Sequence, residues 1–194
     1  GKAAGHGSDV SIICVGTPSG AEGALELSAV FRVAEGIGTA LAGKNTPHLI
    51  VVRSTVAPGT VSQLVEIIGE TSGKIAGKDF YVAANPEFLR EGTAVVDYFS
   101  PPYIVVGAPK GHEAGVEMLR QVYAGIDAPF LVVSAQAAET IKYINNSWHA
   151  LKVVFANEVS SICRANGIDA RDLMDLFCAD QKLNISRAYL KPGF

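Results

Sequence analysis

The chain has 194 residues, of which 48% are hydrophobic and 18% charged, with 20 glycines. That length builds one well-filled core, or one domain and part of another. A net charge of −3 offers no reason to expect nucleic acid or an anionic membrane as partner. No apolar run reaches the roughly 20 residues of a membrane span. The small, polar residues 1–9 lack the apolar centre of a secretory signal. Cys14, Cys163 and Cys178 lie in apolar stretches outside any C-x-x-C pair. They read as buried, reduced thiols of a cytoplasmic protein, with neither a zinc site nor a disulfide framework.

Residues 9–15, DVSIICV, form a β-branched apolar run that stops at Gly16, the pattern of a buried parallel strand. Gly16-Thr17-Pro18-Ser19-Gly20 is a loop by composition. Residues 25–44 predict a helix with Leu27, Val30, Phe31, Ala34, Ile37 and Leu41 on one broad face. A second strand over 48–53 leads into Ser54-Thr55-Val56-Ala57-Pro58-Gly59 and a helix over 60–71. A third strand over 79–84 leads into Asn85-Pro86-Glu87-Phe88-Leu89-Arg90-Glu91-Gly92. Strands over 103–107 and 130–133 flank a helix over about 113–124. Residues 137–167 read as one long helix, stopped by Asn166-Gly167. Asp169 is placed to cap a further helix, with Asp172 at the capping-box position and Ile168 and Leu173 as a staple. Residues 184–194 predict little regular structure.

Strand–helix alternation implies a parallel sheet with right-handed crossovers. Ligands of such sheets bind beyond the carboxyl ends of the strands, which singles out the loops holding Thr17, Thr55, and Asn85 to Glu91. The first two are small and hydroxyl-bearing, and suit close approach of a phosphate or ribose; ordinary turn chemistry favours the same residues. Glu87 and Glu91 would share a face if Pro86 starts a turn of helix. Two neighbouring carboxylates raise each other's pKa, a general acid/base arrangement, unless Arg90 neutralises one of them. On the long helix, Lys142, Asn146, His149 and Asn157 fall within about 80° at 100° per residue. Their flanks, Ala150 and Ala156, are small, so the stripe reads either as a wet face or as a wall that presents hydrogen bonds to a ligand.

Val15-Gly16-Thr17-Pro18, residues 53–61 (RSTVAPGTV), residues 85–92 (NPEFLREG) and Lys142-x-x-x-Asn146 together resemble the UDP-glucose/GDP-mannose dehydrogenase family in order and spacing. Asn146-Ser147-Trp148-His149-Ala150, Phe155-Ala156-Asn157-Glu158 and Lys182-Leu183-Asn184-x-Ser186-Arg187 are most similar to its GDP-mannose branch. The resemblance implies an α/β fold: the C-terminal half of a Rossmann-type parallel sheet over residues 1–134, then a long connecting helix and an α-helical central domain over 135–194. It implies NAD as cofactor, a nucleotide sugar as substrate, and a two-step oxidation of the sugar's C6 alcohol to a carboxylate. By position, Thr17 and Thr55 lie along the NAD site, and Thr55 also helps to place the hydrolytic water. Glu87 and Glu91 are the general-base carboxylates, with Glu91 also near substrate. Lys142 and Asn146 stabilise the oxyanion at C6 and touch substrate. His149, Asn157, Tyr189, Lys191 and Phe194 are substrate contacts. The apolar back of the long helix, with Trp148, Leu151 and Phe155, is expected to form a homodimer interface.

The same resemblance places a pyrophosphate-binding G-x-G-x-x-G before Gly1 and a catalytic cysteine after Phe194. None of Cys14, Cys163 and Cys178 matches that cysteine. The expectation is therefore an internal fragment that does not catalyse the overall reaction alone. Ala188 stands where relatives often have a second Tyr. Lys191 stands where they often have Arg, which loses bidentate phosphate recognition. Two other readings stay open: a 3-hydroxyacid dehydrogenase, a type that also carries Lys-x-x-x-Asn on a long helix, and a non-catalytic sugar-nucleotide-binding or dimerisation module.

Overall fold

The structure is a computed structural model that describes residues 7–190. Two compact units, Gly1–Ile144 and Asn145–Phe194, divide the chain, and each is described by itself. The expected contacts at Lys191 and Phe194 lie outside the described residues.

In the first unit five strands form one sheet in the order β1 (Val10–Ile13), β2 (His48–Val52), β3 (Phe80–Ala84), β4 (Ile104–Ala108) and β5 (Phe130–Ser134). β1, β2 and β3 run parallel, as do β4 and β5. The fully parallel sheet expected from strand–helix alternation fails at one junction. β4 runs antiparallel to β3, with Ala84 opposite Gly107. That register starts β4 past the end of β3, so the connecting residues never cross back over a face of the sheet. They hold only the short helix α3 (Ala94–Phe99), which the sequence pattern does not announce. A single 3-10 turn, Ala21–Gly23, is likewise unannounced.

Period-2 alternation divides the core. Ile50, Val52, Phe80, Val82 and Ala84 face one way, packed under α1 (Ser28–Leu41), α2 (Thr60–Ser72) and Ala135 and Ala138 of α5 (Ala135–Asn166). Leu49, Val51, Tyr81, Ala83, Ile104 and Val106 face the other, under Val116 and Leu119 of α4 (Glu113–Val122). Burial on both faces explains why β2 and β3 read as continuous apolar runs. Gly107 sets where α5 starts. A Cβ there would lie 2.5 Å from the Ala138 Cβ and 2.6 Å from the Ser134 carbonyl oxygen, so only glycine lets the first turn of α5 settle on β4.

The second unit holds α5 beyond Ile144 and α6 (Ala170–Ala179). Asp169 caps α6 as expected, its side chain accepting the Arg171 N–H at 2.7 Å. The Phe155 and Phe177 rings lie 5.3 Å apart. Residues 180–190 are turns and irregular chain. The cysteine expectation needs correction: Cys163 is buried, but Cys14 and Cys178 are exposed. Among the described residues no helix is long and apolar enough to cross a membrane.

At the amino end of β2, His48 is fully buried beside Lys44, which is itself 7% exposed. His48 Nδ1 lies 2.9 Å from the Lys44 ammonium and 3.1 Å from the Ser8 carbonyl, and Nε2 lies 2.9 Å from Ser11 Oγ. Lys44 also donates to the Ser8 carbonyl and lies 3.7 Å from Asp9. Burial, then the Lys44 charge, lower the His48 pKa, against the Ser8 carbonyl and Asp9. His112, which accepts the Val82 N–H at 2.9 Å, is lowered too, mainly by burial. A histidine depressed in the folded state is protonated first in the unfolded chain. Its stabilisation is complete above the unfolded value of 6.5 and is lost as pH falls from there toward the folded pKa. Urea titrations from pH 8 to pH 5 are expected to show stability falling below about pH 6.5, with a shallower fall in His48→Gln. A pH-independent stability over that range would contradict the neutral buried His48.

Candidate active site

Three loops leave the carboxyl ends of β1, β2 and β3, where a parallel sheet presents ligands with the ends of its strands. The first two are tied to each other. Thr17 Oγ1 donates to the Thr55 carbonyl at 2.8 Å, and Ser54 Oγ donates to the Val15 carbonyl at 2.7 Å. Thr17 and Thr55 are both half-buried, and Gly16 beside them leaves its flank open. The cradle has room for a flat or phosphate-bearing group to approach backbone, and so fits a dinucleotide.

The third loop begins with a pin rather than a reactive group. Asn85 is buried, and both ends of its amide are engaged. Nδ2 donates to the Val105 carbonyl at 2.8 Å. Oδ1 accepts from Arg53 at 2.8 Å and from the Tyr123 hydroxyl at 2.6 Å. Arg53 also donates to the Asn85 carbonyl and to the Tyr123 oxygen. The network holds the end of β3 to β4, and Pro86 then directs the chain into the site. Sequence spacing gave no signal for the Arg53–Asn85–Tyr123 network, whose members lie 32 and 38 residues apart.

Glu87 and Lys142 make the centre of the site. Lys142 is 8% exposed. Its ammonium donates to Glu87 Oε1 at 2.7 Å and to the Glu87 carbonyl at 2.6 Å. It also lies 5.6 Å from the centre of the Phe88 ring. Two of its three donors are thus used, and the third has no partner among the described residues. Glu87 Oε2 accepts the Leu89 N–H at 2.6 Å. Burial acts to raise the Glu87 pKa, but hydrogen bonds from Lys142 and Leu89 and the charges of Lys142 and Arg53 outweigh it. The carboxyl is held below its ordinary value and is ionised at neutral pH.

Two expectations are corrected here. Glu87 and Glu91 do not share a helical face, because residues 85–90 are not helical. Glu91 stands exposed in the following turn, with no hydrogen bond to Glu87 or Lys142. Nor does a like charge raise the Glu87 pKa; the neighbour that counts is a cation. Arg90, the alternative that would neutralise one of them, pairs with neither glutamate. It is bidentate on Asp97, at 3.0 and 2.7 Å, and pulls that carboxyl well below the carboxylate range.

Ser54, Thr55, Ala84, Pro86, Glu139 and Lys142 line one small pocket between these loops and the first turns of α5. Thr17, Thr55, Glu87 and Lys142 are therefore brought together in the first unit, whereas Glu91 lies on an exposed turn. Asn146, His149 and Asn157 belong to the second unit, at exposed positions of α5. Tyr189 is 78% exposed in the same unit. Glu139, which lines the pocket, was missed from sequence; a single Glu in the first turns of a helix carries no signal of its own.

Residues 2–127 match the NAD binding domain of the UDP-glucose/GDP-mannose dehydrogenase family, and residues 136–194 match that family's central domain. The chain belongs to this family. NAD is accordingly its cofactor. The chain is 51% identical over 187 residues to a GDP-mannose 6-dehydrogenase of Pseudomonas syringae pv. tomato, covering 96% of this chain and 42% of that protein. It is 37% identical to a UDP-glucose 6-dehydrogenase of Haloferax volcanii, covering 95% of this chain and 44% of the relative. The crystal structure of a ternary complex of GDP-mannose dehydrogenase from Pseudomonas aeruginosa superposes with a TM-score of 0.95 at 48% identity, over 100% of this chain and 44% of the other. The chain thus spans well under half the length of these relatives.

Removing the Tyr123 hydroxyl tests the pin. Tyr123→Phe deletes one acceptor–donor contact from Asn85 and is expected to cost about 1 kcal/mol in urea unfolding. Asn85→Ala is expected to cost more, because it strands Arg53, the Tyr123 hydroxyl and the Val105 carbonyl together. Equal stability of both variants and the parent would mean that the network carries no load.

Proposed function

We propose that this chain forms the cofactor-side wall of an NAD-dependent nucleotide-sugar 6-dehydrogenase. It oxidises the C6 alcohol of GDP-mannose to the carboxylate, giving GDP-mannuronate, the precursor of alginate-type polymers. The observation that carries the reading is the buried Lys142 ammonium, fixed on Glu87 at the carboxyl ends of the strands with one donor to spare. Greater identity to the GDP-mannose relative than to the UDP-glucose relative supports the choice of sugar. UDP-glucose is the alternative substrate. We propose the division into a nucleotide-binding part, residues 1–134, and a helical substrate-binding and dimerisation part, residues 135–194. Exposed Trp148, Leu151 and Phe155 support a homodimer formed through the second part.

The chemistry asks for two things that these residues supply. Oxidising an alcohol builds negative charge on its oxygen, and a preorganised donor lowers that barrier without having to reorient. Lys142, with Asn146 as a second donor, takes this role. Bound NAD supplies the hydride acceptor. Completing the oxidation to an acid consumes water, and a carboxylate must take a proton from it. Ionised Glu87 takes the role of base, Glu91 assists at the exposed side, and Thr55 positions the water. His149, Asn157, Tyr189, Lys191 and Phe194 contribute to substrate binding. No nucleophilic role falls to Cys14, Cys163 or Cys178.

Alcohol to carboxylate is a four-electron change, so each sugar must reduce two NAD. With the full-length protein, following NADH at limiting GDP-mannose is expected to give two NADH per sugar, with UDP-glucose turned over far more slowly. One NADH per sugar, or no turnover with either nucleotide sugar, would overturn the reading. Faster turnover of UDP-glucose would keep the reaction and change the substrate.

A further inference from the structure

The first turns of α5 carry a carboxylate for which the redox chemistry has no use. Glu139 is 3% exposed. Its Oε2 accepts the Gly59 N–H and its Oε1 accepts the Val61 N–H, both at 2.7 Å. These are donors of the first turn of α2. That helix has no side-chain cap of its own: its N-cap is Gly59, in the left-handed region at φ 95°. A helix start needs acceptors for its free N–H groups and favours negative charge. Here the acceptor arrives from a residue 80 positions away. Burial pushes the Glu139 pKa up, and the two N–H groups, which favour the carboxylate, oppose that.

The consequence is geometric. The Thr55 loop is fastened at its start by Thr17 and at its end, through Gly59, by Glu139. Ala138 seats the same turn of α5 on β4 at Gly107. Lys142 follows Glu139 by three residues, about 4.5 Å further along the helix and on the same side. Glu139, Thr55 and Lys142 line the same pocket. We infer that Glu139 is the positioning residue that locks the Thr55 loop and α5 into one register, and so delivers the Lys142 ammonium to Glu87. The kinetic part of this inference rests on the dehydrogenase reading above; the geometric part does not. Both Glu139 carboxylate oxygens are taken up by backbone N–H groups, so it acts through Lys142.

The test uses the full-length protein with Glu139→Gln, a near-isosteric change that replaces one acceptor oxygen by a donor facing an N–H. Two readouts are taken at a temperature where parent and variant are both folded by circular dichroism. In the first, kcat for nucleotide-sugar oxidation is compared in the parent, E139Q, K142M and the double variant. E139Q is expected to lower kcat about tenfold with little change in the nucleotide-sugar KM, and to change kcat by less than twofold when Lys142 is already Met. An equal loss in both backgrounds would overturn the inference. The second readout is the carboxyl carbon titration of Glu87 by NMR, which needs no turnover. Glu87 faces Lys142 and Arg53, and its midpoint is expected to rise in E139Q. An unchanged midpoint would overturn the inference even if the melting temperature drops, because a purely structural cap would do that. A raised midpoint in a protein that turns over no nucleotide sugar would uphold the positioning role and sink the dehydrogenase reading. Should E139Q fail to fold, Glu139→Asp, which keeps the charge and shortens the reach by one methylene, carries the same comparisons.

Discussion

A buried ammonium has to be partnered, and most of this site follows from how Lys142 is satisfied. An unpaired charge of that kind costs several kcal/mol. Glu87 supplies both a carboxylate and a main-chain carbonyl to it. For those two oxygens to stand together, the chain after β3 must turn sharply, which Asn85 and Pro86 arrange. For the ammonium to reach them, α5 must start close on the sheet, which Gly107 permits. The Arg53–Asn85–Tyr123 network, the glycine in β4 and the Glu139 carboxylate on α2 are separate devices that hold the two ends of one ion pair.

That pairing also sets the electrostatics. Glu87 loses solvation, and by itself that would favour the neutral acid. The adjacent cation reverses the balance, so the carboxylate stays ionised and the ammonium keeps a donor to spare. A fixed positive donor beside a fixed negative acceptor suits a reaction that first stabilises an oxyanion and later needs a base.

Much of the fold was legible in the sequence because burial writes a pattern. β2 and β3 are apolar throughout since both faces are covered, and their bounds are found to within a residue or so. The long helix and the Asp169 cap were equally plain, because helical period and capping chemistry are local. What escaped is what depends on tertiary pairing. The antiparallel turn of β4 on β3 leaves no trace in either strand's composition. Glu87 and Glu91 are four apart, but Pro86 begins no helix, so the spacing misled about their shared face and the sign of the Glu87 shift. Arg90 lies between two glutamates in sequence and finds Asp97 in space. Glu139 is one acidic residue in a helix start, and only the fold shows that it caps a different helix. Thr17, Thr55, Glu87 and Lys142 were legible because strand ends and helix faces can be read from period alone.

Everything above turns on whether Lys142 and Glu87 hold each other in solution. Titrating the Glu87 carboxyl carbon by NMR in the parent and in Lys142→Met measures this directly. The parent midpoint is expected below the ordinary glutamate value of 4.5, and Lys142→Met is expected to raise it, since burial is then opposed only by the Leu89 N–H and the Arg53 charge. A parent midpoint at or above 4.5, or one that Lys142→Met leaves in place, would contradict the ion pair.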